Sequence, residues 1–233
     1  MQQKRQMSES MILGVVLTLA GGFQDAYSYN GRGGVFANAQ TGNIVLLGQN
    51  LAMGRWETAL HYLFPLLSFL LGVFAAEWIR SLCERVRVLH WRQVILLAEI
   101  VLLVLAGLFP DTMATPANVL LSFACAMQVE SFRKFRGIPC ATTMCIGNMR
   151  SATEHLYHYL RTRDPEQKRR SIHYYVIILV FAVGAALGAV FTITLGHGAI
   201  WMAAFLLLIG FLLMFSKGEQ EAQETVSSNL NNR

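Results

Sequence analysis

Two short segments carry glycine and asparagine beside hydroxyl groups within largely apolar stretches. Residues 40–44 read QTGNI, and residues 145–149 read CIGNM. Glycine tolerates backbone angles that other residues avoid, an asparagine amide donates and accepts hydrogen bonds without a net charge, and a helix break frees backbone NH and CO groups for an ion or a solute. A Gly-Asn pair can also simply cap or kink a packed helix, and this alternative stays open. We predict a single substrate-binding or ion-binding site to which both segments contribute these residues: Asn38, Thr41, Gly42, Asn43, Thr143, Gly147 and Asn148.

Carboxyl groups also lie inside apolar stretches. Asp25 follows Gln24 near the end of the first stretch, and Glu99 lies in the middle of LLAEIVLL. A charged carboxylate at the centre of a membrane helix costs about 2.5 to 3.5 kcal/mol, so such a residue normally faces the bundle interior and has a partner or a function. We predict that Asp25 and Glu130 bind a proton or a cation, that Gln24 contributes to the substrate-binding or ion-binding site, and that Glu99 influences the protonation of the two acids. The alternatives are an interfacial position for Asp25 or Glu130 and a packing bond for Glu99.

The other candidates for chemistry indicate simpler roles. Arg150 directly follows the second Gly-Asn pair, and a salt bridge with one of these acids and the binding of an anion are equally good interpretations. His155 and His158 have a spacing that could hold a metal, but no carboxylate-histidine signature accompanies them. The four cysteines form no CxxC pair, which indicates buried thiols, and the sequence has no GxSxG or HExxH motif. We predict no metal, no cofactor and no enzymatic activity.

The elements that must position these residues are long apolar blocks. Of the 233 residues, 54% are hydrophobic and only 14% are charged, which is typical of a polytopic membrane protein. We predict an all-α membrane helix bundle with six spans, at approximately residues 11–29, 58–79, 93–109, 116–132, 173–195 and 198–215. The polar blocks 35–52 and 139–160 are predicted to be re-entrant or broken helices that face protein rather than lipid.

The basic residues lie in short segments between the apolar blocks, so they indicate topology rather than a nucleic-acid partner. With both termini in the cytoplasm, all of the 19 lysines and arginines except Arg32 and Arg55 lie on the inner side. Making the two polar blocks span the membrane would move basic loops outside. We therefore predict a cytoplasmic segment 1–10, one transmembrane domain 11–215 and a disordered cytoplasmic tail 216–233.

A weak internal repeat relates the halves 11–109 and 116–215. A shift of 105 residues lays QTGNI over CIGNM, FQDA over QVES, and the third span over the sixth. Because each half holds an odd number of spans, the halves enter the membrane in opposite senses, as in an inverted repeat. Asp25 is then the counterpart of Glu130. Chance similarity is the alternative, since only glycine and asparagine are identical in the two segments.

Residues 20–48, AGGFQDAYSYNGRGGVFANAQTGNIVLLG, resemble the opening signature of the YoaK family of bacterial membrane proteins. In that family a glycine-rich turn with an acid in the first span precedes a threonine-glycine-asparagine segment. The resemblance covers residues 10–215 and implies an integral protein of the bacterial plasma membrane, without an established substrate. The run from Tyr27 to Asn30 is more polar than the family pattern.

We predict a small secondary transporter or channel for an unidentified solute or ion, in which Asn43 and Asn148 contact the solute. Its partners would be membrane lipids, that solute and, through a small-residue face at Gly184 and Gly188, a second copy in a homodimer. The alternative is a scaffold or sensor that transports nothing. In that case the basic segment RTRDPEQKRR, residues 161–170, would bind a partner or an anionic lipid.

Overall fold

The computed structural model describes residues 10–83 and 90–214. The predicted segment 1–10, apart from Ser10, and the predicted tail 216–233 lie outside the described residues. Within them the chain is helical except for connecting segments and one short β-hairpin, which confirms the all-α prediction. The helices are α1 (Met11–Gly31), α2 (Gln40–Ala52), α3 (Trp56–Cys83), α4 (Trp91–Leu108), α5 (Ala114–Ser131), α6 (Cys145–Thr162), α7 (Pro165–Leu195) and α8 (200–214). Strands β1 (Lys134–Phe135) and β2 (Ile138–Pro139) pair antiparallel, and 3₁₀ turns cover Asp111–Met113 and Gly196–Ala199.

Two of the helix starts follow from local capping. Ser10 precedes α1, and its hydroxyl oxygen accepts a hydrogen bond from the backbone NH of Leu13 at 3.2 Å. Asp164 precedes α7 in the same way, and its carboxylate accepts from the backbone NH of Glu166 at 2.9 Å. Pro165 occupies the first position of α7, where a missing NH costs nothing. Both helices therefore begin where a side chain satisfies a free backbone NH.

Among residues 10–83 and 90–214, four segments are long and apolar enough to cross a membrane. They are α1, α3, α4 and the segment Pro165–Met214, which contains α7, a 3₁₀ turn and α8. Helix α5 is as long as α4, at 18 residues, but its sequence is more polar, and it is not among the four. In the most apolar window of α1, 67% of the residues are buried, against 33% for α3 and α4. The protein is therefore a helical membrane protein in which α1 is the central helix.

Helices α1 and α7 lie parallel with their backbones in contact. Gly184 lies against the backbone of Leu19, and Gly188 lies against the backbone of Phe23, one turn further along both helices. Gly22 on α1 faces the α7 backbone in turn. The glycine face that sequence analysis considered for a dimer therefore packs within the chain.

Helices α3 and α5 form a second parallel pair. The Ser68 hydroxyl donates to the Val119 carbonyl at 2.7 Å, and one turn later Gly72 lies against the backbone of Phe123. Helix α4 runs antiparallel to α5, since Arg92 at its start donates to the carbonyl of Ser131, the last residue of α5. The pair α3–α5 thus joins helices that are separated in the sequence by α4, whereas α4 and α5 are consecutive helices.

Helix α8 packs against both α1 and α4. Gly107, near the end of α4, lies against Trp201 at the start of α8. Gly210, near the end of α8, lies against Leu13 at the start of α1 and Leu96 at the start of α4. Helix α8 therefore runs antiparallel to both, and it completes the bundle around α1.

Candidate functional site

The two Gly-Asn segments have the same local structure. In each, an extended stretch precedes the helix, α2 in the first and α6 in the second. The side chain of Asn43 accepts from the backbone NH of Phe36 at 3.0 Å and donates to its carbonyl at 2.7 Å. The side chain of Asn148 accepts from the NH of Ala141 at 3.4 Å and donates to its carbonyl at 2.7 Å. Each asparagine thus binds both backbone groups of the residue seven positions before it.

These bonds engage the amides of both asparagines. Asn43 also donates to the Gln40 side chain at 2.9 Å, and Asn148 also donates to the Met144 carbonyl at 3.1 Å. Their side chains are buried, at 0% and 3% exposed. The asparagines hold each extended stretch against its helix, and their predicted contact with a solute stays a prediction.

The first extended stretch reaches the middle of α1. The Asn38 backbone NH donates to the carboxyl oxygen Oδ1 of Asp25 at 2.7 Å, and the Asn38 side chain donates to the Gly21 carbonyl at 2.9 Å. The Ala37 NH donates to the Ser28 hydroxyl at 3.0 Å. Asp25 therefore lies in front of the amino terminus of α2, where the helix dipole favours a negative charge.

The second extended stretch reaches the same part of α1. The Thr143 side chain packs beside Gly21, and the Thr142 hydroxyl accepts from the Gln128 side chain at 3.0 Å. Cys145, the first residue of α6, follows Thr143 by two positions. The amino termini of α2 and α6 therefore both lie near Asp25.

From this region α2 and α6 lead to opposite ends of α1. Beyond α2, His61 near the start of α3 lies against Gly33, which follows the last turn of α1. The Ala152 carbonyl of α6 accepts from the Ser171 hydroxyl of α7 at 2.9 Å. Since α7 runs parallel to α1 and Gly184 lies beside Leu19, Ser171 lies just beyond the end of the bundle where α1 starts. The two segments thus approach the centre of α1 from its two ends.

Gln24 and Glu99 extend this polar centre between α1, α4 and α5. Gln24 accepts from the Cys125 thiol at 2.9 Å and faces Glu99. Glu99 is fully buried, and neither of its carboxyl oxygens reaches hydrogen-bonding geometry with another described residue. Gln24, Asp25, Asn38, Glu99 and Thr143 are all buried, and their predicted role in binding stays a prediction.

Several polar atoms at this centre have no hydrogen-bond partner among the described residues. Buried polar groups are paired in the great majority of cases, so a cluster of unpaired ones needs an explanation. A bound ion or small polar solute would complete their hydrogen bonding. The unpaired atoms are Gln24 Nε2, Asn38 Oδ1, both carboxyl oxygens of Glu99, Gln128 Oε1 and Thr143 Oγ1.

The remaining predicted site residues do not join this centre. Glu130 forms an ion pair with Arg133 at the end of α5, which lies at the same end of the bundle as the start of α4. Thr41, Gly147 and Arg150 are exposed, and Gly42 is half-buried against the Phe36 ring. Within residues 10–83 and 90–214 no ion pair involves Arg150, so its predicted pairing with an intramembrane acid is not found there. Anion binding by Arg150 stays untested.

Sequence analysis missed Arg32, which it placed in an outer loop. Arg32 is fully buried, and its guanidinium donates to the carbonyls of Ala106, Phe109 and Pro110 at 2.8 to 3.0 Å. It also donates to the Tyr27 hydroxyl at 2.9 Å. Ala106 lies in the last turn of α4, and Phe109 and Pro110 directly follow the helix, so Arg32 joins the end of α4 to the end of α1. The available signal was a single arginine beside the unusually polar run that ends α1.

We expect Asn43→Ala and Asn148→Ala each to release an extended stretch. Each variant leaves backbone groups of that stretch unpaired, which costs about 1 to 3 kcal/mol in the free energy of unfolding. Thermal melting in detergent measures the loss. Asn50→Ala is the matched control, because the Asn50 side chain donates only within α2, to the Leu46 carbonyl. Equal melting temperatures for Asn43→Ala and Asn50→Ala would contradict the anchoring role.

A family model described as "Protein of unknown function (DUF1275)" matches residues 13–213. No curated protein and no solved structure matches the chain. The match covers all eight helices except the first residues of α1 and the last residue of α8. The chain therefore belongs to the DUF1275 family of proteins of unknown function.

Proposed function

We propose that the chain is a small secondary transporter or channel with six spans, built from two inverted halves of three, which moves a solute without a chemical reaction. The helix pairs support this architecture. A shift of 105 residues, the difference between Gln40 and Cys145, relates α1 to α5, α3 to α7 and α4 to α8. It converts the parallel pair α1–α7 into the parallel pair α5–α3, and the antiparallel pair α1–α8 into α5–α4.

In this architecture α2 and α6 are re-entrant helices that approach the membrane centre from opposite faces. The anchoring bonds of Asn43 and Asn148 support the assignment, since the same asparagine fixes the same kind of break in both halves. Irregular backbone at membrane depth is tolerated where it is buried in protein or lines a cavity. The repeat therefore has a local physical basis in addition to the sequence match.

The observation that carries the proposed function is the cluster of unpaired polar atoms beside two helix amino termini. The stretch before α2 directs the Asn38 backbone NH to Asp25, and the stretch before α6 places Thr143 beside Gly21, one turn from Asp25. Gln24 Nε2 and the Thr143 hydroxyl add unpaired donors. A small carboxylate or other oxyanion would accept from these donors, because helix amino termini bind anions. The four unpaired oxygens of Asn38, Glu99 and Gln128 would accept from hydrogen-bond donors on the same solute or from a proton on Glu99.

Asp25 and such a solute would compete for the same NH groups. A charged Asp25 holds the Asn38 NH and repels an anion, whereas a proton on Asp25 weakens both effects. In the proposed mechanism, protonation of Asp25 admits the solute and deprotonation expels it. Glu99, next to Gln24, influences the proton on Asp25 through the same polar centre.

We place the protein in the bacterial inner membrane with both termini in the cytoplasm. The positive-inside rule and the narrower resemblance to the YoaK family support this placement. A homodimer is part of the proposal, because Arg150, Thr153 and Glu154 are exposed on a helix that would lie at membrane depth. Charged groups at that depth normally face protein or water rather than lipid.

The scaffold alternative has less support. Its basic segment is internally paired, since Glu166 accepts from Arg169 at 2.7 Å and from Arg170 at 2.9 Å. Two of the segment's five cations thus already have an acidic partner.

The topology test uses single cysteines at Thr41 and Gly147 in a variant without the four native cysteines. Both positions are exposed, and a side chain at Gly147 meets nothing within 4 Å. Membrane-impermeant thiol reagents should label position 41 from the outer face and position 147 from the inner face. Labelling of both positions from one face would refute the inverted repeat.

The transport test uses proteoliposomes, a panel of small carboxylates and oxyanions, and a pH-sensitive dye. We expect Asp25→Asn to slow solute-driven proton movement roughly 10- to 150-fold, which corresponds to the loss of a charge-assisted hydrogen bond. Asp111→Asn is the matched control, since the Asp111 side chain is 69% exposed. Unchanged transport in Asp25→Asn, or no transport of any acid by the wild type, would count against the proposal.

A further inference from the structure

A cavity lies at the end of the bundle where α3 and α5 end and α4 begins. Its volume is about 250 Å³, and its lining includes one acidic residue, Glu130. The lining is positively charged overall, because it also contains four cationic side chains, those of Arg80, Arg92, Arg133 and Lys134. The cavity is separate from the polar centre around Asp25, with which it shares no residue.

Packing and hydrogen bonds position two of these cations. The guanidinium groups of Arg80 and Arg92 lie over the Trp91 ring, 5.4 and 5.0 Å from its centroid. Arg92 also donates to the Ser131 carbonyl at 2.9 Å. Cation–π contacts and a bond from Nε hold the planar groups in place. A positioned guanidinium matches the paired oxygens of a phosphate group.

The other two cations differ in their pairing. Arg133 forms an ion pair with Glu130 and lies 4.0 Å from Glu77. Lys134 lies in the short hairpin, is exposed, and forms no ion pair with any other described residue. The ammonium of Lys134 is therefore available as a point charge for an anion in the cavity.

A buried hydroxyl group supplies an independent indication of a ligand. Ser131 lines the cavity and is 1% exposed, yet its Oγ has no hydrogen-bond partner among the described residues. A buried hydroxyl without a partner is costly, and an anion in the cavity would accept a hydrogen bond from it. The hydroxyl thus supplies a neutral donor beside the cations.

We propose that this cavity binds a phosphate group, either the head group of an anionic phospholipid or a free phosphate. The exposed side chains of Trp78 and Leu82 lie on the last turns of α3 nearby, so the cavity adjoins a lipid-facing apolar surface. Basic pockets between membrane helices on the cytoplasmic side bind such head groups. The site does not depend on the proposed transport activity.

The test compares full-length protein in nanodiscs of phosphatidylcholine alone with nanodiscs that also contain phosphatidylglycerol. Native mass spectrometry counts the lipids retained, and thermal melting in detergent with inorganic phosphate reports the free anion. We expect Lys134→Gln to weaken the binding of the phosphate group roughly tenfold, and Ser131→Ala to weaken it less. Lys168→Gln is the matched control, because Lys168 lies over Tyr159, outside the cavity.

Preferred retention of phosphatidylglycerol that Lys134→Gln reduces would support the head group as the ligand. Stabilisation by inorganic phosphate that Lys134→Gln reduces would support the free anion. The proposal is overturned if neither ligand is preferred, or if Lys168→Gln has as large an effect as Lys134→Gln. A wild-type melting temperature for Ser131→Ala, together with unchanged binding of both ligands, would also count against it.

Discussion

Gly184→Leu is expected to prevent the chain from folding to a monodisperse membrane protein. A side chain at Gly184 would overlap the backbone of Leu19, and one at Gly22 would overlap the backbone of Phe181. A backbone cannot rotate away as a side chain can, so α1 and α7 would have to separate. Overpacking costs about 1 to 3 kcal/mol in soluble cores and occasionally more, and here the displaced helix carries Asp25.

Size-exclusion chromatography and thermal melting in detergent measure this effect. Gly48→Leu is the matched control, because a side chain at Gly48 meets nothing within 4 Å. The control should elute and melt like the wild type. If Gly184→Leu behaves like Gly48→Leu, the close contact between α1 and α7 is wrong.

Arg32→Ala is expected to cost about 3 kcal/mol or more in the free energy of unfolding. Hydrogen bonds to charged groups contribute about 1.5 to 3 kcal/mol each, and the substitution removes four of them. It also removes the side chain that joins the end of α4 to the end of α1. Arg32→Lys should recover only part of the loss, since an ammonium cannot reproduce the fork of a guanidinium.

Equilibrium unfolding in mixed micelles measures the free energy of unfolding, which should decrease from the wild type to Arg32→Lys and further to Arg32→Ala. Arg55→Ala serves as the control, because Arg55 is the other arginine predicted on the outer side and is exposed. A melting curve of Arg32→Ala that coincides with that of Arg55→Ala would contradict the capping role. It would support the topological role that the sequence alone predicts for Arg32.

The all-α class and the helix positions could be predicted because their signal is local. Long apolar runs with no period are recognisable in the sequence, and each predicted span falls on a helix. Asp25 could be placed in the interior for a similar reason, since an acid within an apolar run needs a protein environment. The break before α2 was visible as a polar interruption of an apolar stretch.

The partners of these residues could not be predicted, since they come from distant parts of the chain. Nothing near Arg32 in the sequence indicates that it binds carbonyls at the end of α4. Glu130 was paired with Asp25 through the repeat, but Arg133, one turn away, forms an ion pair with it. The asparagines were expected to face a solute, whereas each binds the backbone of its own segment.

The position of α1 has a consequence for how the protein is made. Helix α1 leaves the ribosome before the helices that bury it. Cys125, which binds Gln24, is translated 101 residues after Gln24, and Gly184, which covers Leu19, follows Leu19 by about 165 residues, roughly 10 to 30 s at ordinary rates of synthesis. During that interval α1 lacks these permanent partners. We therefore expect the translocon or an insertase to shelter α1 until α5 and α7 have been made.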